Sequence, residues 1–385
     1  MRIGLVTGEF PPDEGGVGDF TLRLAEALAA LGHDVHVITG PTRKTEYEAR
    51  YSLPVHRSVP SWRWGCWREV LRVAREARLD VLNLQYQAAA YGMHPAVHFL
   101  PSPLARPPVV VTFHDLRVPY LFPKAGPLRW RVVRMLARRA DGVIVTNHED
   151  YLRLEGEIPR DRLAVIPIGS NIPPTPPPNY DRDAERARWG VRPDDLFLGY
   201  FGFLNESKGG EELIRALGML VERGVPAHLL MVGGRVGTSD PTNRAYAAFI
   251  DGLIADLGLT ERVHWTGYTD PLSVSAGLLA TDVCVLPYRD GVSFRRGTLH
   301  ACLAHGRAIV TTRPAVPLPE VRDGENMLLA PPRDAGALAE AVLRLWRDPG
   351  LRARLEEGAR ALAADFSWDR IARQTAAFLI HWISG

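Results

Sequence analysis

Lys208 lies in Gly202-Phe203-Leu204-Asn205-Glu206-Ser207-Lys208-Gly209, a turn between a strand-like run at 196–201 and a helix-like one. Glycine lets backbone come close to a ligand, and the helix start beyond it aims unpaired N–H groups and the positive end of its dipole at an anion. A lysine in such a turn suits the negative charge that develops on a leaving phosphate; the plainer reading is an exposed lysine at a helix start. The amino end follows the same design, with Ile3-Gly4-Leu5-Val6-Thr7 leading to Gly15-Gly16-Val17-Gly18. Gly15 and Gly16 are read as backbone contacts to phosphate or to a second substrate, against a simple turn. Other candidates end further strand-like runs: His114 and Asp115 after 109–113, Gly233 and Gly234 after 227–232, and the stretch from Asp290 to Thr298 after 283–286. An imidazole closing an apolar strand is an odd choice for packing alone.

Two phosphate-friendly turns in separate halves point to an enzyme of nucleotide sugars, and the elements around them have to place both. Strand-like runs at 3–7, 35–39, 81–85, 109–113, 142–146 and 163–166 alternate with amphipathic helices such as 20–31, which Gly32 ends as a left-handed cap. The pattern breaks at Ile172-Pro173-Pro174-Thr175-Pro176-Pro177-Pro178, where repeated proline forbids helix and interior strand alike. It restarts at 196–201, 227–232, 263–265, 283–286 and 308–311. The fold class is therefore α/β. Two Rossmann-like doubly wound domains are expected at 1–172 and 181–365, with a linker at 173–180. A terminal helix within 366–385, opened by Ser367 as N-cap, is expected to cross back to the first domain. Ligands collect beyond the carboxyl ends of parallel strands, so facing domains imply a central cleft.

Composition sets the class. With 385 residues, 46% of them hydrophobic and 23% charged, the chain reads as a globular protein of two cores. No run approaches the length of a membrane span, and no signal peptide precedes the first strand, so a cytoplasmic location is expected. A net charge of +2 is too small to argue for nucleic acid. Cys66, Cys284 and Cys302 are widely spaced and read as small buried hydrophobes. The run Leu128-Arg129-Trp130-Arg131-Val132-Val133-Arg134-Met135-Leu136-Ala137-Arg138-Arg139 is a core-facing helix with a solvated basic face, or else a peripheral contact with an anionic membrane surface.

Taken in order, the motifs resemble the retaining GT-B glycosyltransferases of family 4 through nearly the whole chain. Besides the two glycine turns, the resemblance is carried by Val111-Thr112-Phe113-His114-Asp115, Trp265-Thr266-Gly267-Tyr268 and Asp282-Val283-Cys284-Val285-Leu286-Pro287. It continues in Leu303-Ala304-His305-Gly306-Arg307-Ala308-Ile309-Val310, in Pro319-Glu320-Val321-Arg322-Asp323-Gly324-Glu325-Asn326 and in Phe366-Ser367-Trp368. Two positions depart from the family pattern. Phe203 stands where an arginine follows the first glycine, and the Glu-x7-Glu element is replaced, with Asp290-Gly291 near the first glutamate and His300 at the second.

The resemblance implies a nucleotide-diphosphate sugar as donor and an acceptor that the chain does not identify. It implies that His114 contacts the donor sugar, with the adjacent backbone carbonyl near the anomeric carbon, and that Lys208 and Gly202 serve the diphosphate. Arg295 or Arg296, with the N–H groups of Gly297 and Thr298 at a helix start, would replace the lost arginine; the alternative is surface charge beside a turn. Asp290 is a candidate for sugar hydroxyls, or a turn residue. His300, Glu320 and Gly233 are candidates for ribose or base, His300 against core packing and Glu320 against helix capping. No acidic pair for a metal stands out and no cofactor is expected, since a lysine and arginine clamp can do a metal's work. Trp62, Trp64, Trp67, Tyr86 and Tyr91 could stack on an acceptor or fill the core.

Other activities compete with transfer. A nicotinamide dehydrogenase is disfavoured: the glycine loop begins eight residues after Thr7, and Thr39-Gly40 brings no ribose-binding acid. An epimerase on this fold would use Asp115, Glu206 or Asp290 as acid and base, and a non-catalytic homologue would only bind nucleotide sugar.

Overall fold

The computed structural model describes residues 1–13, 15–42, 51–102, 107–116, 128–234 and 241–383. The chain divides into two compact units, one of Met1–Asn171 with Phe366–Gly385 and one of Ile172–Asp365.

In the first unit, strands β1 (Arg2–Thr7), β2 (Asp34–Ile38), β3 (Val55–His56), β4 (Val81–Tyr86), β5 (Val109–Phe113), β6 (Gly142–Val145) and β7 (Leu163–Val165) form one sheet. Its order is β3-β2-β1-β4-β5-β6-β7, and every pair is parallel. Helices α1 (Gly16–Ala30), α2 (Cys66–Glu76), α3 (Leu128–Arg139) and α4 (His148–Leu154) connect the strands. Parallel strands covered on both faces read as nearly continuous apolar runs, and β5 is buried along its whole length. The strand order reverses between β1 and β4, which makes their carboxyl ends the switch point.

The second unit repeats the plan with helices α5 (Arg182–Arg188), α6 (Gly210–Glu222), α7 (Pro241–Asp256), α8 (Pro271–Ala280), α9 (Gly297–Ala304), α10 (Ala335–Arg347) and α11 (Pro349–Ala363). Its strands β8 (Leu196–Phe201), β9 (Ala227–Val232), β10 (Val263–Gly267), β11 (Val283–Leu286), β12 (Ala308–Thr312) and β13 (Leu328–Ala330) run in the order β10-β9-β8-β11-β12-β13, all parallel. The switch point lies between β8 and β11. Asp282, just before β11, accepts from Phe197 N at 2.8 Å, Arg182 Nη2 at 2.7 Å and the fully buried Arg186 Nη1 at 3.1 Å. Its place in the family motif is thus structural.

The last helix, α12 (Trp368–Ile383), belongs to the first unit, where Trp368 Nε1 donates to Ser170 O at 2.7 Å and Ser367 O accepts the helix's Ile371 N–H at 3.0 Å. Three details differ from the sequence reading. Strands β3 and β13, of two and three residues, are too short to show a period. The first helix starts at Gly16 rather than at 20, for a reason given below. Among the described residues no helix is long and apolar enough to cross a membrane. The stripe Val133, Leu136 and Ala137 of α3 is buried, and three of its arginines are engaged: Arg134 and Arg138 reach Glu157 at 2.8 and 3.6 Å, and Arg139 Nε donates to Pro101 O at 3.0 Å. All three cysteines are free and buried.

Candidate active site

In the second unit the turn after β8 is built by local capping. Asn205 Oδ1 accepts from Lys208 N at 3.2 Å and from Ser207 Oγ at 2.8 Å, closing one 3₁₀ turn. Gly209 must be glycine twice over: its φ is 72°, and a Cβ there would lie 1.9 Å from Pro287 O. The turn therefore presses against the end of β11, and Lys208 folds back over Gly202. Lys208 Nζ and Thr298 Cγ2 close in so far that a Cβ on Gly202 would lie 3.0 and 2.8 Å from them.

Around this point the charge is mostly positive. Arg296 lies over the Tyr288 ring at 4.2 Å and pairs with Asp290, which Arg295 Nη2 also reaches at 3.2 Å. Tyr288 OH and Thr298 Oγ1 are 2.7 Å apart. Burial, with the Arg296 guanidinium adding to it, pushes the Lys208 ammonium down to about 8. Two arginines thus share one carboxylate beside the start of α9, with the Lys208 cation close enough to Arg296 to feel its charge. The N–H groups of Gly297 and Thr298, first in that helix, have no acceptor within it, and the space where a Gly297 Cβ would stand is open. This arrangement suits a polyanion.

The other candidates of this unit fall on either side. Asp290 is drawn into pairing with both arginines. Gly233 lies against the Gly202 backbone, its φ at 109° and its N–H donating to Thr266 Oγ1 at 2.9 Å. Phe203 is 39% exposed and covers Gly234, where a Cβ would meet its ring at 2.9 Å. His300 is 2% exposed, its Nε2 is 2.7 Å from Phe294 O, and burial pushes it down to about 4, so of the two roles left open the geometry supplies packing. Glu320 is exposed in the turn between β12 and β13, its carbonyl accepting from Asn326 Nδ2 at 2.8 Å; no helix begins there, which removes the capping reading.

In the first unit the glycine loop holds a surprise. Glu9 Oε1 accepts from Val17 N at 3.0 Å and Gly18 N at 3.3 Å, so a carboxylate of the chain itself occupies the N-terminus of α1. This satisfies the first helical N–H groups and lets the helix begin four residues before the apolar pattern. Burial raises the Glu9 carboxyl although both N–H groups pull it down. A Cβ on Gly15 would lie 2.1 Å from that carboxylate and displace it; Gly16 is exposed with nothing within 4 Å. Backbone contact of this loop with phosphate therefore meets a resident anion.

His114, one residue past β5, is partly buried, packs edge-on against Phe20 of α1 at 4.6 Å, and sets its Nε2 2.9 Å from Gln85 Oε1. Phe20 in turn lies 5.2 Å from Trp368, so α12 backs the wall behind the imidazole. Tyr86 and Tyr91 are buried, Trp62 and Trp67 are partly buried, and Trp64 alone of the five aromatics is exposed, at 63%. Sequence reasoning missed Glu9, Gln85 and Arg289. Arg289 binds Glu206, Glu211 and Glu212 at 2.8–2.9 Å and ties the β11 end to the Lys208 turn. The one available signal was Asn83 and Gln85, polar inside an apolar strand. Among the described residues no group of three or more metal-ligating side chains is gathered.

Residues 14–172 match the family described as Glycosyltransferase Family 4, and residues 195–348 match Glycosyl transferases group 1. A D-inositol 3-phosphate glycosyltransferase of Corynebacterium efficiens is 27% identical over 97% of this chain and 94% of its own. That of Actinosynnema mirum is 26% identical over 93% and 90%. Among solved structures, sucrose-phosphate synthase from Thermosynechococcus elongatus superposes with a TM-score of 0.77 at 23% identity, over 100% of this chain and 99% of that one. Anabaena Alr3699/HepE, solved in complex with UDP and glucose, gives 0.79 at 20% identity over 99% and 100%.

Proposed function

Because the chain belongs to the family 4, group 1 glycosyltransferases, we propose that it moves a hexose from a nucleotide-diphosphate sugar, UDP- or GDP-linked, to a hydroxyl-bearing acceptor with retention of configuration. The observation that carries the reading is the convergence of Lys208 and Thr298, at the open start of α9, on Gly202, with the Arg296 guanidinium acting on the same lysine. In the transfer the bond from the anomeric carbon to the diphosphate oxygen breaks and its electron pair leaves with the diphosphate. The acceptor oxygen bonds to the same face of that carbon, and its proton passes to the departing diphosphate. Lys208 and Arg296 meet the charge that grows on the leaving oxygens, which is the work a divalent metal does elsewhere, so the reaction proceeds without one. His114 contacts the sugar. Asp290 holds the two arginines in place rather than a sugar hydroxyl. The complex of HepE with UDP and glucose supports a UDP-sugar as first donor to try.

The geometry weighs against an epimerase. Glu206 is paired with Arg289 and Asp290 with Arg295 and Arg296, so two of its three candidate acid–base groups are engaged in ion pairs with arginine. The test is nucleotide release from UDP-, GDP-, ADP- and dTDP-sugars, with and without EDTA, by wild type and Lys208→Ala. Release from one donor, insensitive to EDTA and lowered about 10²–10³-fold in kcat by the substitution, is the expected result. Interconversion of free sugar nucleotides would establish the epimerase, and binding without release the non-catalytic homologue.

A further inference from the structure

Strand β4 carries two side chains that a parallel-sheet interior has no packing use for. Asn83 and Gln85 are both 0% exposed, two residues apart and so on one face, beside Thr112 of β5 at 3%. Their orientation follows from a group that has no choice. Val110 O can only accept, and Asn83 Nδ2 lies 3.3 Å from it and 2.9 Å from Thr112 Oγ1. The amide of Asn83 is thereby turned so that its Oδ1 meets Gln85, and Gln85 Nε2 must donate to it. That leaves Gln85 Oε1 toward His114 Nε2, 2.9 Å away. A carbonyl oxygen cannot donate, so the proton of the imidazole sits on Nε2 and the lone pair on Nδ1.

We propose that Gln85 is a positioning residue, which, anchored through Asn83 on the β5 backbone, holds His114 as its Nε2–H tautomer with Nδ1 presented as a hydrogen-bond acceptor to a hydroxyl of the bound sugar. The inference rests on the reading above that His114 touches the sugar. Phe20, edge-on at 4.6 Å, restrains the ring from turning over. Burial pushes the imidazole down to about 3, so the cation, which would have no acceptor to offer, is absent at neutral pH. The chemistry then selects for a donor sugar whose hydroxyl gives its proton to the enzyme at this point, and a fluorine in that hydroxyl's place cannot do so.

The experiment is long-range ¹H–¹⁵N NMR of histidine-labelled protein, with His114 assigned by its loss in His114→Asn. Wild type shows Nε2 protonated and Nδ1 bare; the opposite tautomer overturns the proposal without any variant being needed. Gln85→Leu shows a mixture of tautomers and loses about 10- to 100-fold in kcat/KM on the sugar nucleotide that supports release, as outer partners of orienting histidines do. Gln85→Glu still accepts from Nε2–H and keeps the wild-type tautomer, but its second oxygen cannot donate to Asn83 Oδ1, so it recovers only part of the rate. A Gln85→Leu protein with unchanged spectrum and unchanged kcat/KM overturns the positioning role. The wild-type tautomer together with a fully active His114→Asn protein would instead sink the sugar contact and leave the relay standing, so the two failures are distinguishable.

Discussion

Lys208 carries its charge where burial and a neighbouring guanidinium both oppose it. With its ammonium held down to about 8, a rising fraction of the free enzyme lacks that charge above this pH. A dianionic diphosphate binds the protonated form, so donor KM is expected to rise with pH through about 8 while the acid side stays flat. Lys208→Arg keeps its charge throughout, and its KM profile should lose the alkaline limb even where kcat falls. Steady-state donor titrations from pH 6.5 to 9.5 read the difference, and an identical limb in the arginine variant would assign it to another group. The candidate residue was legible from its place between strand and helix; its environment was not. Arg296 is 88 positions further along the chain, and only the strand order brings it close.

One element, the loop after β11, decides whether the Lys208 turn stays in place. Arg289 within it is 9% exposed, and its guanidinium satisfies Glu206, Glu211 and Glu212 while its N–H donates to Ser207 O at 2.9 Å. Removing that cation leaves Glu212, itself 10% exposed, with a buried charge and no counter-ion among the described residues. Arg289→Met is expected to cost about 3 kcal/mol in urea unfolding and to raise donor KM in the same protein, because the turn loses its tie to β11. A loss of stability with unchanged KM would make Arg289 a fold residue alone. The elements themselves were legible. Alternating apolar runs and amphipathic stripes located eleven of the thirteen strands, and the two missed are the shortest. The start of α1 was misread because Glu9 caps it from eight residues upstream of Val17, outside any local capping pattern.

Across the whole molecule the histidines set the acid limit. Each unit stacks two of them across an edge strand and its neighbour: His36 and His56 lie 2.9 Å apart with rings 9° from parallel, and His228 and His264 lie 3.1 Å apart at 13°. Burial pushes His98, His264 and His300 down to about 4 and His114 to about 3, and it lowers His33, His56, His228 and His305 as well. As pH falls below 6.5 the unfolded chain takes up these protons and the folded chain does not, so stability present above 6.5 is lost toward 4. Three carboxyls act the other way, Glu9 and Asp150 raised and Asp19 raised to about 6, since folded protein gains from protonating them first. Four strongly lowered histidines outweigh one strongly raised carboxyl. Tm is expected to fall by roughly 10 °C between pH 7 and pH 4.5, and a flat or rising Tm over that range would contradict the neutral buried rings.

What the sequence by itself determined is whatever follows from neighbours along the chain. Apolar period marked the strands and helices, glycines marked turns that need positive φ or close backbone approach, and Lys208 and His114 stood at strand ends where parallel sheets put their chemistry. Tertiary structure alone decided which charges meet. It set Glu9 in the mouth of the glycine loop, Asp290 between two arginines, His300 in the core and Gln85 behind His114. Asp290 and its arginines are close in sequence, yet the side chains' directions come from a loop pinned by Thr312 Oγ1 on Tyr288 O at 2.6 Å and by Gly291 packed against Arg313 O. Burial changes a group's charge and its partners fix its proton, and both depend on which strands lie side by side, a property of the sheet order that no local window of residues contains.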